Sequence, residues 1–388
     1  MNARVEDDLV ALVRERLTRE PGDLTPQRVA AALRAEGRPV GDATVLLVHE
    51  ALSRDVLGAG PLEPLLRQPL VTDVLVNGPH QVFIDRGQGL EQTDVRFRDD
   101  DAVRRLAQRL AARGGRRLDD ASPWVDLRLA DGTRFHAVLA PLARPGTSLS
   151  LRVPRSQVFT LEQLVDTGAV TAGGARLLTR IVERRLAFLV TGGTGSGKTT
   201  LLNTLLSEVD PRERLVLVED ASELRPDHPH VVALEARPPN LEGQGAVTVC
   251  QLVRQALRMR PDRLVVGEVR GPEVVDLLAA LNTGHEGGSG TLHANSAADV
   301  PARIESLALA AGLGREATHS QLSSAINVVI HLARTPAGHR FLAEVAVPMR
   351  DEAGIVRVLT AARFTACGES STGSGADLLA RALEPETS

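Results

Sequence analysis

The chain contains no tyrosine, one tryptophan (Trp124) and only 2% aromatic residues. A platform that stacks single-stranded bases needs aromatic faces, so that class of function has little to build with. Cysteine is scarce as well: Cys250 and Cys367 lie far apart and make no Cys-x-x-Cys pair. Such spacing argues against a disulfide framework or a zinc site and fits a reducing cytosol. No apolar run in the chain approaches the roughly 18 to 20 residues that span a bilayer. The opening stretch MNARVEDDLVALVRERL carries early acids and no apolar h-region, so a signal peptide is not expected. An excess of basic charge is missing too. The formal net charge is -4, which speaks against bulk nucleic-acid binding. Lysine is nearly absent: of 45 Lys plus Arg residues, Lys198 is the one lysine.

With 388 residues, 43% hydrophobic and 24% charged, the chain is expected to form two or three soluble domains with real cores. Residues 1–58 read as a helical region. EDDLVALVRERLTRE, TPQRVAAALRAEG and DATVLLVHEALSRDVLG place apolar residues three and four apart, punctuated by Gly22-Asp23 and Gly41-Asp42. Residues 59–152 read as a small α+β domain. Hairpins are expected around Asn77-Gly78 and Asp131-Gly132, and a helix over DDDAVRRLAQRLAARGG with acids at its positive end. Residues 153–165 read as a linker. Beyond it, AFLV, LVLVED, VVALE, RLVVGEV and GTLHA alternate with helical stretches. Continuous apolar strands separated by helices imply an α/β domain, 166–366, whose parallel sheet is covered on both faces. Residues 367–388 begin Ser/Gly-rich and read as a flexible tail with at most one short helix.

Gly192, Gly193, Thr194, Gly195, Ser196, Gly197, Lys198 and Thr199 match G-x-x-x-x-G-K-[ST] in full, and Thr200 follows. A strand precedes the motif and a helix follows it, which is the context it requires. Glycines let the loop turn several N–H groups onto one anion, and the helix N-terminus points at the same place. Lys198 suits the β- and γ-phosphates of a nucleotide as a compact charge, and Thr199 suits Mg²⁺. Arginine's planar fork does not suit this position, so an arginine-rich chain keeps its lysine here.

Ligands of open parallel sheets lie beyond the C-terminal strand ends. Two expected strands end there in acids, Glu219-Asp220 and Glu268, with Glu223 close behind. An apolar strand ending in an acid is the Walker B pattern, here with Glu. GTLHA brings His293 to the same edge, and LNTGHEGGSG before it carries His285. A histidine there suits hydrogen bonding to a γ-phosphate, although a lone histidine is more often structural.

In this order and spacing, VTGGTGSGKTTLLN, VEDASEL, ALRMRPDRLVVGEVRG and TGHEGGSGTLHANS resemble the secretion-ATPase superfamily. Its members power type II secretion, type IV pili and type IV secretion. The chain is most similar to the TadA/CpaF branch of Flp-type pilus ATPases, which includes conjugal-transfer-associated members. RRLDDASPWVDLRLADGTRFHAVLAPLA resembles the segment that family places before its ATPase domain, and the resemblance covers about Gly58 to Met349. It implies a PAS-like domain, a RecA-like P-loop ATPase domain and a homohexameric ring. The ring would work at the inner face of the cytoplasmic membrane on integral platform proteins. It implies that Lys198 and Thr199 bind ATP and Mg²⁺, that Glu219 and Glu268 support Mg²⁺ and polarise water, with Thr199 and Glu268 as metal ligands, and that His293 senses the γ-phosphate. Arginines are expected near the phosphates; Arg134 and Arg152 rank ahead of Arg117 and Arg128. His136 stands where the branch more often has Asn, Arg152 is followed by Val-Pro, and no tetracysteine motif is present, so no zinc is expected. The alternatives are a nucleic-acid translocase or conjugation motor on the same core, and a scaffold that binds ATP with little turnover.

Overall fold

The structure, a computed structural model, describes residues 13, 16, 25–35, 41, 44–49, 58–87, 89–153, 158–239, 244–284 and 286–384. The chain divides into two compact units, Met1–Arg155 and Ser156–Ser388. In the first, the helix Pro26–Ala35 buries Val29, Ala32 and Leu33, which cluster with Val13, Val45 and Val48. The three- and four-residue spacing read in TPQRVAAALRAEG is thus the buried face of this helix. The Gly22-Asp23 signal and most of the first expected helix lie outside the described residues.

The same unit contains β1 (Asp73–Asn77), β2 (Val82–Asp85), β3 (Leu90–Gln92), β4 (Trp124–Arg128), β5 (Arg134–Val138) and β6 (Ser148–Arg152). They form one sheet in the order β3-β2-β1-β6-β5-β4, antiparallel throughout. Both expected hairpins, β1–β2 and β4–β5, are present. The helix Asp100–Arg113 starts where the acids indicated: Asp99 caps it by accepting the Ala102 N–H at 2.8 Å. Its Val103, Leu106 and Leu110 join Val74, Val76, Phe135, Leu149 and Leu151 in one core.

The second unit is built on β7 (Phe188–Gly192), β8 (Leu215–Glu219), β9 (Val231–Glu235), β10 (Arg263–Val269), β11 (Ser289–His293), β12 (Val328–Arg334), β13 (Arg340–Arg350), β14 (Val356–Phe364) and β15 (Ser370–Thr372). The order is β15-β14-β13-β12-β7-β11-β10-β8-β9. From β12 to β9 every pairing is parallel, and β12 to β15 form an antiparallel meander. All five strands read from the sequence are there. Leu189 faces one core with the helices Val249–Ala256, Glu273–Leu281, Val300–Ala310 and Arg315–Ala325. Phe188 and Val190 face the opposite core with the helices Leu161–Asp166, Ala172–Glu183, Lys198–Ser207 and Ala376–Ala382. Helices on both faces account for the uninterrupted apolar runs of the parallel strands.

Two boundaries are corrected. The expected linker over 153–165 does not extend to 165, because the helix Leu161–Asp166 carries a capping box between Thr160 and Gln163 and buries Leu161 and Leu164. Pro154 lies outside the described residues. Of the expected flexible tail over 367–388, the described residues 367–384 are instead structured: β15 pairs with β14, and Leu379 and Leu383 are 4% and 2% exposed within the core of the second unit. Docking of two leucines one helical turn apart outweighs the loop-like composition of CGESSTGSG. The ordered α/β unit therefore extends past the expected end at 366. Leu379→Ala is expected to lower unfolding stability by about 2 to 3 kcal/mol, measured by urea denaturation; a change under about 0.5 kcal/mol would return this helix to the status of a loose tail.

Candidate nucleotide site

At its C-terminal end β7 gives way to a loop over residues 193–197, and the helix Lys198–Ser207 begins at once. Gly195 and Gly197 take left-handed φ values of 70° and 98°, which glycine adopts without a steric penalty. Lys198 is 9% exposed, and its ammonium donates to the carbonyls of Gly192 and Gly193, both at 3.1 Å. Burial lowers the pKa of Lys198, while the Glu268 carboxylate acts in the opposite direction. Thr199 and Thr200 are half-buried in the first turn of the helix. The Ser196 hydroxyl is buried with no hydrogen-bond partner.

His293, at the end of β11, comes to this loop. Its Nδ1 lies 3.4 Å from the Lys198 ammonium and its Nε2 lies 3.3 Å from Thr194 Oγ1. An ammonium only donates, so Nδ1 accepts and Nε2 carries the proton. Burial, then the charge of Lys198, lowers the His293 pKa, consistent with a neutral ring. The register explains the approach: β11 pairs with β7, with His293 opposite Gly192. His285 lies outside the described residues.

The two acids occupy different environments. β8 lies next to β10, and Glu219 at its end is 4% exposed. Glu219 Oε1 accepts the N–H groups of Glu223 and Leu224 at 2.9 and 3.0 Å, whereas Oε2 is buried without a partner. Burial, the largest influence, raises its pKa to about 7. A Cβ at Gly267 would stand 2.6 Å from Glu219 Cγ, so the neighbouring strand must carry glycine there. The β10–β11 register shifts between Val266 and Val269. This bulge spans Gly267 and Glu268, and Thr291 Oγ1 donates to the Gly267 carbonyl at 2.7 Å. Bulges re-aim side chains. The Glu268 carboxylate is 30% exposed and pairs with Arg270 at 2.6 Å. Glu219 therefore sits inside the strand ends and Glu268 at their mouth.

A pH test follows from Glu219. A folded pKa raised from 4.5 to about 7 favours folding most below the unfolded value, and this contribution fades as pH rises from about 4.5 to 7. The full span is worth about 3 kcal/mol. Denaturation between pH 4.5 and 8 should show Glu219→Gln losing less stability than the wild type over this range. Identical slopes would contradict the burial argument.

Residues not singled out in the sequence complete the site. Asn203 Oδ1 accepts the Arg225 N–H at 2.8 Å and Ser207 Oγ accepts that of Asp227 at 2.9 Å, tying the loop after Glu219 to the phosphate-loop helix. Thr191 Oγ1 lies 2.9 Å from His331 Nδ1 beneath the loop. Arg340 Nε donates to the Gly195 carbonyl at 2.8 Å. Three of the four arginines expected from the first unit occupy one row there, because register places Arg128 opposite Arg134 and Arg134 opposite Arg152; Arg117 lies outside the strands. Arg134 pairs with Asp126 at 2.8 Å, Arg152 with Asp73 at 3.0 Å, and Arg117 with Asp119.

The donor set suits a nucleotide triphosphate with magnesium. A buried cation faces a loop with left-handed glycines, and two buried oxygens, Ser196 Oγ and Glu219 Oε2, lack protein partners. A family model described as type II/IV secretion system protein matches residues 55–375. A Mycobacterium tuberculosis protein with a conjugal-transfer name is 57% identical over 327 residues, which cover 83% of this chain and 93% of that protein. The type IV secretion system protein PtlH of Bordetella pertussis is 36% identical over 260 residues, 61% of this chain and 76% of PtlH. The X-ray structure of the Legionella pneumophila ATPase DotB aligns with a TM-score of 0.52 and 21% identity, covering 73% of this chain and 78% of DotB. The last similarity shows a shared fold.

Proposed function

Since the chain belongs to the type II/IV secretion system protein family, we propose that it is a magnesium-dependent ATPase motor. It powers assembly of a Flp-type, type IV-like pilus or a secretion machine. The observation that carries this reading is the convergence of three segments on Lys198. The loop carbonyls of Gly192 and Gly193 hold its ammonium, His293 approaches it from β11, and Glu268 acts on it from the β10 bulge.

When bound, magnesium ATP supplies the scissile phosphoanhydride and a metal charge that offsets its anionic oxygens. The amides of residues 193–199 and the Lys198 ammonium hold the phosphates. The Thr199 hydroxyl and the Glu268 carboxylate hold the metal. Glu219 Oε2, without a protein partner and on a group with a pKa of about 7, orients water and accepts its proton. The His293 ring, held between Thr194 and Lys198, senses the γ-phosphate. Arg134 and Arg152 add charge stabilisation from the first unit or from a neighbouring subunit. A PAS-like domain within 59–152 moves against a RecA-like ATPase domain that begins after the short linker. The motor works as a homohexameric ring at the inner face of the cytoplasmic membrane, on integral platform proteins.

The test is phosphate release from ATP by the purified chain, which should require Mg²⁺; no turnover at any Mg²⁺ concentration overturns the enzyme reading. The conjugal-transfer name of the mycobacterial relative favours a second reading, a conjugation or nucleic-acid motor on the same core. ATPase stimulation by DNA that falls steeply with salt would select it.

A further inference from the structure

We propose that Arg340 is a positioning residue of the phosphate loop, acting from the β12–β13 hairpin of the same chain. The inference rests on the nucleotide reading of that loop. β12 runs parallel to β7 with Leu332 opposite Gly192, then continues through Arg334 where β7 has already turned into the loop. The hairpin thus lies alongside the loop. A Cβ at Gly192 would stand 2.5 Å from the Leu332 carbonyl oxygen, a measure of how closely the two main chains pass. The hairpin returns with Arg340 opposite Arg334. Arg340 Nε donates to the Gly195 carbonyl at 2.8 Å. Its Cδ lies 3.7 Å from where a Gly197 Cβ would be. The side chain therefore follows the loop from Gly197 to Gly195.

The peptide plane gives this contact its consequence. The carbonyl of Gly195 and the N–H of Ser196 belong to one trans peptide and point in opposite directions. Anchoring the carbonyl outward on Arg340 turns the Ser196 N–H inward. There it donates to the Gly193 carbonyl at 3.3 Å, the same oxygen that accepts the Lys198 ammonium. Gly195 is flanked by low rotational barriers because glycine is at home on both sides of φ. Without a clamp, a flip of this peptide would break the Ser196–Gly193 hydrogen bond and turn a carbonyl dipole into the loop in place of an N–H. A guanidinium is a strong clamp, since hydrogen bonds from charged donors exceed neutral ones. Arg334 serves as the internal comparison: its Nη1 lies 3.7 Å from where a Gly195 Cβ would be, yet its Nε donates to the Gly338 carbonyl of its own turn at 3.3 Å.

The experiment measures ADP affinity by calorimetry and steady-state ATP hydrolysis for the wild type, Arg340→Ala, Arg340→Lys and Arg334→Ala. Thermal melting verifies that each is folded. Arg340→Ala should weaken ADP binding and raise KM about tenfold, with kcat at saturating ATP changed less than threefold. Arg340→Lys, which keeps a cationic donor, should recover most of the affinity, and Arg334→Ala should stay within twofold of wild type. If the wild type binds no ADP, the nucleotide reading falls and this inference falls with it. If the wild type binds and Arg340→Ala binds equally well, only the clamp is overturned. An equal loss in Arg334→Ala also overturns it, because the effect would then be general positive charge over the loop.

Discussion

Lys198→Ala should lower ATP turnover at least about 100-fold, the scale on which removing one preorganised charge donor acts. Phosphate release at saturating Mg²⁺ and ATP checks it. The loss should come without unfolding. The Lys198 ammonium is desolvated, which lowers its pKa, so its burial does not favour the fold and removing it should leave the melting temperature unchanged or higher. Lys198→Arg is the more discriminating variant. It keeps the charge in a chain where every other basic position of this class is already arginine. The lysine Nζ fits between two carbonyls at 3.1 Å while meeting His293, and a planar fork with five fixed donors does not fit that point. Turnover of Lys198→Arg should be under a tenth of wild type. Activity above half of wild type would mean that the position needs charge alone and that the shape argument is wrong.

The parallel half of the α/β sheet was legible because burial on two faces leaves a plain mark: AFLV, LVLV and the LVV of β10 contain no polar interruption. The phosphate loop was legible because anion binding demands glycines and a lysine at fixed spacing. The antiparallel meander β12 to β15 carries no such mark. β13 runs from Arg340 to Arg350 with buried residues at irregular spacing, and its pairing slips at both neighbours, so neither a period of two nor a continuous run appears. The short helix allowed in the tail is present as Ala376–Ala382, but its docking was not legible, since local composition does not report the core that Leu379 and Leu383 join. Gly267 looked like an ordinary strand residue; only the neighbouring strand explains it, through Glu219 beneath. Arg340 was indistinguishable among so many arginines. Its contact with Gly195 depends on register between strands that are distant in sequence.

Glu268→Gln should keep ADP binding within about threefold of wild type while turnover falls at least about 100-fold. The difference between these numbers is what assigns the residue. The amide has the shape of the carboxylate, and the exposed position of Glu268, paired with Arg270, lets either form be solvated, so the fold should be indifferent to the change. The phosphates are held by the loop and Lys198, which the substitution leaves in place. Removing the carboxylate also removes the charge that favours the protonated Lys198, so the lysine pKa should drop further, and any small weakening of ADP binding should grow toward high pH. Metal binding should suffer directly: the Mg²⁺ concentration for half-maximal residual activity should rise about tenfold, since an uncharged ligand replaces a charged one. Equal losses of ADP affinity and turnover would place Glu268 among the residues that hold nucleotide. Full turnover with an unchanged Mg²⁺ requirement would move the metal-binding role to Glu219 at the end of β8, whose Oε2 is still without a protein partner.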